Sequence, residues 1–313
     1  MLFRSVNDGG VVSPTFAPFD GNYSVQSNGR GTVNLNIPSF DGGFFKFAIY
    51  IVSSSEYFMI SIDPLSIRNP IFSGPAELQT GGSFRTASFH GPSVFSLAGN
   101  NGVSAQDTVG QLLFNNNSGI IVTLDQNSGG TITAGGILTG AYDVEINGRG
   151  TLNLDNNNGT STVWYVYAIS PNRAFLLDAS TSFVADGELK PQSTAPPFTN
   201  SNALGTYLFA SQDVFSSLTP AQSGFIDFNG ANANGQGSVA GTEDIAQEAT
   251  LLTGRTLAGT YNISTYLDNG RGIMQLTSPN AAKIAFWVID DREMVGISLD
   301  PSDSSPTILH FEQ

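Results

Sequence analysis

The chain repeats one short phrase three times. Each copy has a Gly-x-Tyr tripeptide followed by Asn-Gly-Arg-Gly, and the tyrosines Tyr23, Tyr142 and Tyr261 lie 119 residues apart. A period of this length is too long for one turn of a solenoid and suits one small domain. The sequence therefore predicts a row of similar domains.

The middle copy consists of short β-prone runs separated by turn formers. Eight runs rich in β-branched and aromatic residues lie between residues 94 and 190, and clusters of Asn, Gly and Ser such as 115–119 connect them. Connections this short make consecutive strands antiparallel neighbours. No segment keeps the 3.6-residue apolar period of a helix.

Eight meandering strands close most economically into an up-and-down barrel, because closure removes both sheet edges. A two-sheet sandwich is the alternative. We predict an all-β chain of tandem antiparallel, lipocalin-like eight-stranded β-barrels with almost no helix.

The repeat also places the domain boundaries. The third copy follows the order of the second, whereas the first copy lacks everything that matches their first three strands. We predict a partial, N-terminally truncated barrel over residues 1–80, a barrel over 83–192, a Pro-rich linker over 193–202 and a barrel over 203–313. The linker restricts the orientation of the barrels without fixing it. The partial barrel keeps about five strands and an open edge that invites strand exchange with another chain.

Composition argues against several classes of partner. Twelve Lys and Arg against 26 Asp and Glu give a net charge of −14, which opposes binding to nucleic acid or anionic lipid. No apolar stretch approaches the ~18 residues of a membrane-spanning helix, so we expect no direct membrane insertion. The chain has no cysteine, and His90 and His310 lie at unrelated points of the repeat. We expect neither a metal nor a cofactor.

Three arginines and three aromatic residues recur in step with the phrase. They are the candidate ligand-binding residues, at the barrel rim or interior: Arg30, Arg149, Arg271, Tyr50, Tyr167 and Trp287. The arginines either capture an anionic ligand at the rim or form cross-strand ion pairs. The aromatic side chains either fill the barrel or line a cavity for one small molecule.

Other recurring residues have structural explanations. The Asn-Gly pairs at 28, 147 and 269 predict type I′ hairpin turns, in which both central residues take positive φ. Asp63, Asp178 and Asp300 end apolar strands, where a carboxylate commonly bonds the backbone of a turn. Glycosidase chemistry needs two close carboxylates, and this position offers one in each copy. We predict that the protein is not an enzyme and has no catalytic residues.

The middle copy also resembles a known family. The residues that carry the resemblance are Gly140-x-Tyr142, Asn147-Gly148-Arg149-Gly150-Thr151-Leu152, the aromatic strand Trp164–Tyr167, the strand ending in Asp178, and Asp186-Gly187-Glu188-Leu189. They look like the tandem lipocalin-like repeats of large predicted secreted proteins of acidobacteria. In the second and third strands the chain departs from that pattern, with Asn115–Gly119 in place of an Asp-Gly-x-Gly turn. The resemblance implies barrels and a cell-exterior setting, and brings no established activity.

Together these features favour a non-enzymatic, secreted or cell-surface bacterial repeat protein with a structural, adhesive or binding role. Its expected partners are carbohydrate, extracellular matrix or sister subunits. A lipocalin-like carrier of a small apolar ligand is the alternative, which a cavity above ~300 Å³ would support, and a polysaccharide-acting hydrolase ranks last.

The first residues suggest a fragment. Residues 1–10 contain no apolar signal region, and Met1–Ser5 resembles a translated sequencing adaptor. We expect a piece recovered from environmental DNA, with the native start upstream.

Overall fold

A computed structural model of the chain divides it into two compact units, Met1–Gly81 and Gly82–Gln313. The residues that it describes are 7–8, 11–12, 20–36, 44–63, 73–100, 104–115, 117–156, 159–180, 184–212, 219–231, 235–247, 250–264 and 267–313. Met1–Ser5, on which the adaptor resemblance rests, lies outside the described residues.

The first unit contains an open sheet. Its strands are β1 (Asn7–Asp8), β2 (Val11–Val12), β3 (Asp20–Val25), β4 (Arg30–Asn36), β5 (Phe44–Ile51), β6 (Glu56–Ser61) and β7 (Ser73–Glu77). β1 and β2 form a small hairpin, and the other five pair in the order β3-β4-β5-β6-β7. We call these five strands the N-terminal sheet. In the described part of the unit it does not close, so β3 and β7 are its edges.

The second unit contains two closed antiparallel barrels of eight strands each, which confirms the predicted fold class. The strands of the first barrel are β8 (Gly91–Asn100), β9 (Ala105–Phe114), β10 (Gly119–Ser128), β11 (Thr131–Val144), β12 (Arg149–Asp155), β13 (Ser161–Ser170), β14 (Arg173–Asp178) and β15 (Val184–Pro191). The strands of the second barrel are β16 (Gly205–Gln212), β17 (Ala221–Ala231), β18 (Gly237–Gln247), β19 (Thr250–Ile263), β20 (Arg271–Ser278), β21 (Ala282–Val288), β22 (Glu293–Ser298) and β23 (Ile308–Glu312).

Each barrel has its own buried interior, because alternate residues of a strand face inward. The first interior includes Phe95, Leu152 and Trp164. The second includes Tyr261 and Phe286. A third buried cluster lies outside both interiors and combines residues of the two barrels.

The tyrosine of the repeated phrase holds two segments together at one end of each barrel. The Tyr142 hydroxyl lies 2.8 Å from the carbonyl oxygens of both Phe89 and Asn115, so it joins the segment before β8 to the end of β9. Tyr261 does the same in the second barrel, between the carbonyls of Asn200 (3.0 Å) and Asn229 (3.1 Å). The tyrosine of the phrase is therefore a structural residue in both barrels.

The Asn-Gly turns differ from the predicted type I′ turns. The glycine of each pair has φ between 80° and 85°, but the preceding asparagine does not have positive φ. In the middle copy the N–H of Gly148 donates to the Glu145 carbonyl, and the N–H of Glu145 donates to the Arg149 carbonyl. This is a three-residue loop with one left-handed glycine. The Asn147 side chain instead accepts the Arg149 N–H at 2.9 Å, so the type I′ prediction is wrong.

The strand-ending aspartates bond the backbone, as expected. Asp178 Oδ1 accepts the Ser180 N–H at 2.6 Å, and Asp300 Oδ1 accepts the Ser302 N–H at 2.9 Å. Asp63 accepts the N–H of Lys46 on β5 instead of one in its own turn.

One strand is much longer than the sequence suggested. The sequence places the fourth strand of the middle copy at Tyr142 to Ile146, but β11 begins at Thr131. Residues 129–140 are rich in Gly and Thr, a composition typical of loops. From Thr131 onwards they pair with β10 instead, with Asn127 opposite Ile132, and form a long hairpin with it.

Candidate functional site: the joint between the two barrels

A buried apolar cluster joins the outer faces of the two barrels. Its members are Val94, Ala98 and Val109 of the first barrel and Ala285, Trp287, Ile289, Val295, Ile297, Leu299 and Ile308 of the second. Ile132 on the long hairpin packs against it. Burying one large apolar side chain stabilises by about 1.5–3 kcal/mol. This cluster, which we call the joint, therefore gives the two barrels a shared core.

A carboxylate of the first barrel is buried in the joint. Asp125 is 0% exposed and lies at a β-bulge of β10. Its Oδ1 accepts from Arg271 Nη2 at 2.6 Å and from the Gly135 N–H at 2.9 Å. Its Oδ2 accepts from Arg271 Nε at 2.8 Å and from Trp287 Nε1 at 3.0 Å. Four N–H donors thus satisfy both oxygens, and the guanidinium binds them with two parallel bonds.

The repeated phrase positions the two side chains that bind Asp125. Arg271 begins β20 directly after the Asn-Gly turn and pairs with Trp287 on β21. Residues that pair across two strands lie on the same face, so the guanidinium and the indole stand side by side. Removing one partner of a buried ion pair costs about 3–5 kcal/mol, because the other charge stays buried without compensation.

Amide side chains continue the joint. Gln111 Nε2 donates to Gln192 Oε1 at 2.6 Å and to the Asn269 carbonyl at 3.2 Å. Gln192 Nε2 donates in turn to the Val288 carbonyl at 2.6 Å. The contacts therefore tie β9 of the first barrel to the phrase of the second.

The linker is part of the joint. The Ser193 N–H donates to the Ile289 carbonyl at 3.0 Å, and the Phe198 N–H donates to Asp268 Oδ1 at 2.6 Å. The Phe198 side chain is buried in the interior cluster of the second barrel. The expectation that the linker restricts the orientation of the barrels without fixing it is therefore corrected, because contacts at both ends of the linker hold it in place.

Polar contacts surround the apolar cluster. Asn127 Nδ2 donates to the carbonyls of Ser298 (3.2 Å) and Asp303 (3.1 Å). Lys190 Nζ lies 2.5 Å from Glu293 and 2.9 Å from Glu188. Burial alone lowers the pKa of Lys190, but the charges and hydrogen bonds of the two glutamates outweigh it and raise the pKa.

The structure brings each predicted arginine beside its predicted aromatic residue. Each arginine pairs across two strands with its aromatic partner, as Arg30 with Tyr50, Arg149 with Tyr167, and Arg271 with Trp287. Arg149 also stacks over Tyr165 at 4.2 Å, and Arg30 Nε donates to the Tyr50 hydroxyl at 3.4 Å.

None of the three aromatic side chains points into a barrel. Their strand neighbours Val166 and Phe286 belong to the barrel interiors, and Ile49 lies on the buried face of the N-terminal sheet. Alternation therefore puts Tyr50, Tyr167 and Trp287 on the opposite, outer face. The expectation that they lie in a barrel interior is corrected. The 119-residue spacing of Asp125 and Asp244 is the sequence signal that could have pointed to Asp125 as the partner of Arg271 and Trp287.

A second candidate site is a cavity of about 470 Å³ in the second barrel. Apolar side chains such as Phe209, Met274 and Ile284 line it together with Glu243 and Arg255. Glu243 Oε1 lies 3.6 Å from Arg255 Nε. Burial raises the pKa of Glu243, and the nearby charge of Arg255 partly opposes that change.

The first barrel fills the corresponding space with an indole. Trp164 lies between Leu152 and Asp178 in the strand register, as Ile284 lies between Met274 and Ser298. Trp164 Nε1 donates to Asp178 Oδ2 at 2.8 Å, which holds the ring inside the barrel. The smaller Ile284 leaves room, so this side chain and its anchor are one difference between the two interiors.

These observations define the class as a tandem β-barrel protein whose barrels join through their outer faces. Within the described ranges no group of three or more His, Cys, Asp or Glu side chains is placed to hold a metal ion. No helix there is long and apolar enough to cross a membrane. Comparisons with protein-family models, curated proteins and solved structures found no match to the chain. The resemblance to acidobacterial repeats stays a prediction.

Proposed function

We propose that this is a non-enzymatic structural repeat protein at the cell exterior, in which the repeated phrase docks one barrel rigidly on its neighbour. The observation that carries the proposal is Asp125, buried between the barrels against Arg271 and Trp287. A chain whose barrels moved freely would gain nothing from burying a charge pair there.

Three further features support a rigid element. The joint has its own apolar cluster, and its amide side chains bond the backbone of the phrase. The linker is hydrogen-bonded to the second barrel through Ser193 and Phe198. The rest of the chain has few charges and many polar residues, which suits contacts with carbohydrate, matrix or sister subunits.

Distance measurements between spin labels test the rigid joint. The chain has no cysteine, so Asn153→Cys in the first barrel and Gln275→Cys in the second, both exposed, label uniquely. We expect a narrow distance distribution that broadens when Asp125→Ala is added. A distribution already broad before that substitution contradicts the proposal, and Asp244→Ala is the matched control.

A second candidate function, favoured by the cavity, is carriage of a small apolar molecule with one polar group. A volume of about 470 Å³ is within the usual range of ligand sites. The polar group would face Glu243 and Arg255, and the apolar part would contact side chains such as Met274.

Binding of an anilinonaphthalene sulfonate dye tests the carrier. We expect dye fluorescence with the full chain and its loss in Ile284→Trp, since the indole fills the cavity. Leu208→Ser is the control, because Leu208 lies outside the cavity and is 68% exposed. Fluorescence that survives Ile284→Trp and falls with Leu208→Ser places the dye on the surface and contradicts the carrier function.

A further inference from the structure

The first barrel meets the second through a set of outward residues that we call the docking face: Val94, Gln111, Asp125, Asn127 and Ile132. The residues that receive it, the receiving face, are Arg271, Trp287, Val295, Ile297 and Leu299. The two faces lie on different strands of the fold. One barrel therefore has room for both.

The second barrel repeats the polar centre of the docking face. Asp244 lies at the β-bulge of β18, as Asp125 does in β10. Asp244 Oδ1 accepts the Gly254 N–H at 2.7 Å, which matches the bond from Gly135 to Asp125. These glycines have φ of 65° and 63°. Asp244, however, is exposed and has no arginine opposite it among the described contacts.

The apolar part of the docking face also recurs and is exposed. Val94 pairs with Gln111 next to the pair Phe95–Gly110, and Leu208 pairs with Phe225 next to Phe209–Gly224. The exposed fraction is 2% for Val94 but 68% for Leu208 and 42% for Phe225. Leu251, the counterpart of Ile132, is 67% exposed. A surface of this kind marks an interaction site.

The N-terminal sheet repeats the receiving face. Arg30 pairs with Tyr50, which pairs with Phe58, as Arg271 pairs with Trp287 and Trp287 with Val295. The exposed fraction is 51% for Tyr50 and 50% for Phe58. In the joint, Trp287 and Val295 are 0% and 2% exposed.

Two more side chains extend this exposed copy. Ile60 and Ile62 lie two and four residues beyond Phe58, as Ile297 and Leu299 lie beyond Val295. They are 43% and 41% exposed, whereas Ile297 and Leu299 are buried at 0% and 4%. The chain therefore displays an uncovered docking face and an uncovered receiving face.

We propose that the docking face of the second barrel binds the N-terminal sheet of a second copy of this chain, so that copies associate head to tail. Asp244 pairs with Arg30 of that copy. Leu208 and Leu251 of the docking face cover Tyr50 and Phe58 of the same copy. The inference rests on the proposed structural function and names the partner. Because the two faces differ, the contact is heterologous and each added copy leaves one of each face open.

This contact is weaker than the joint. Tyr50 offers a hydroxyl where Trp287 offers an indole N–H, and Ala246 replaces Asn127. The joint also gains from the linker, which keeps its partners at an effective concentration of about 1 mM or more. Copies in solution have no such tether, so we expect association to rise with protein concentration.

Sedimentation velocity of the full chain at about 1–500 μM, near physiological ionic strength, tests the proposal. We expect the average mass to rise with concentration, and Asp244→Arg or Arg30→Asp alone to weaken association at least about tenfold. An equimolar mixture of these two variants restores it, because each reversed charge then meets its opposite. Asp155→Arg, an exposed charge reversal outside both faces, is the control and leaves association unchanged.

Three results overturn the proposal: a monomer at every concentration, single variants that associate like the parent, or a mixture that does not recover. Loss of association in Ser24→Pro with no effect of Asp244→Arg assigns it to strand exchange at the β3 edge instead. The spin-label distances probe the joint within one chain, so failure of the proposed function is seen separately.

Discussion

The two barrels share one architecture but use it differently. In the first barrel the docking face is buried in the joint and Trp164 fills the interior. In the second, Asp244 and its apolar neighbours are exposed, and Ile284 leaves a cavity. Strand pattern and turns fix the barrel, whereas a few side-chain volumes and the presence of a partner decide whether its interior is filled and its docking face covered.

The N-terminal sheet extends the comparison. Tyr142 and Tyr261 are 2% and 1% exposed, and each bonds two carbonyls at one end of its barrel. Tyr23 occupies the same place in the phrase and is 76% exposed. Among the residues that the structure describes, the tyrosine of the phrase therefore bridges two segments in the closed barrels and not in the N-terminal sheet.

The largest predicted effect separates the two aspartates. Asp125→Ala leaves the mostly buried Arg271 without its partner, so the free energy of unfolding should fall by about 3–5 kcal/mol. Asp244→Ala removes the exposed counterpart and should change it by less than about 1 kcal/mol. Urea denaturation of the full chain, followed by tryptophan fluorescence, measures both. Equal effects of the two substitutions would remove the distinction between a buried and an exposed docking face.

Exchanging the interior residues comes next. Trp164→Ile empties the first barrel and should destabilise it by about 2–4 kcal/mol through lost contacts and a new cavity. Ile284→Trp in the second barrel should cost less than about 1.5 kcal/mol, since the space already exists. Thermal unfolding of each variant tests this asymmetry. A penalty for Ile284→Trp as large as that for Trp164→Ile would mean that the second interior is as full as the first.

Removing the hydroxyl of the phrase tyrosine should have a smaller effect on stability. Tyr142→Phe removes a hydroxyl that bonds two carbonyls, and we expect a loss of about 1–2 kcal/mol. Tyr23→Phe should have no measurable effect, because that side chain is exposed. Hydrogen exchange of the amides in β8 and β9 detects the local loosening. Protection that is unchanged in Tyr142→Phe would show that packing alone holds the barrel end.

The smallest predicted effect is a pH dependence. Burial raises the pKa of Asp178 and of Glu243 above their unfolded values, although hydrogen bonds and Arg255 partly oppose this. A raised carboxyl pKa stabilises the fold below the unfolded pKa, and that contribution is lost as pH rises through the folded pKa. The unfolding temperature should therefore rise as pH falls from 7 towards 4.

Asp178→Asn isolates this term. It removes one titrating group while keeping an oxygen that accepts the Trp164 N–H, so the rise on acidification should be smaller. A slope equal to that of the parent would assign the effect to relief of the net charge of −14 instead.

The sequence was sufficient for the barrels and insufficient for the joint. Alternation and short turns predict eight antiparallel strands, and these are properties of neighbouring residues. Residues 284–289 form an unbroken apolar run, so periodicity does not tell which side of β21 faces inward. Phe286 proved to be inside and Trp287 outside.

The other features that were missed depend on residues far apart in the chain. The long β10–β11 hairpin has the Gly and Thr content of a loop and is held as a strand by its pairing. The cavity follows from side-chain volumes on several strands, which no local pattern contains. The spacing of Asp125 and Asp244 was visible in the sequence, but the exposure of only one of them was not.

Each barrel closes by pairing its first strand with its last, β8 with β15 and β16 with β23. During synthesis the first barrel can therefore fold only after β15 has left the ribosome. Asp125 has no partner until Arg271, 146 residues further on, has also been synthesised. At ~5–20 residues per second that wait is about 7–30 s. In this interval the carboxylate and its apolar surroundings face other nascent chains on the same messenger. Slow translation between residues 192 and 271 should therefore raise the yield of misassembled chains.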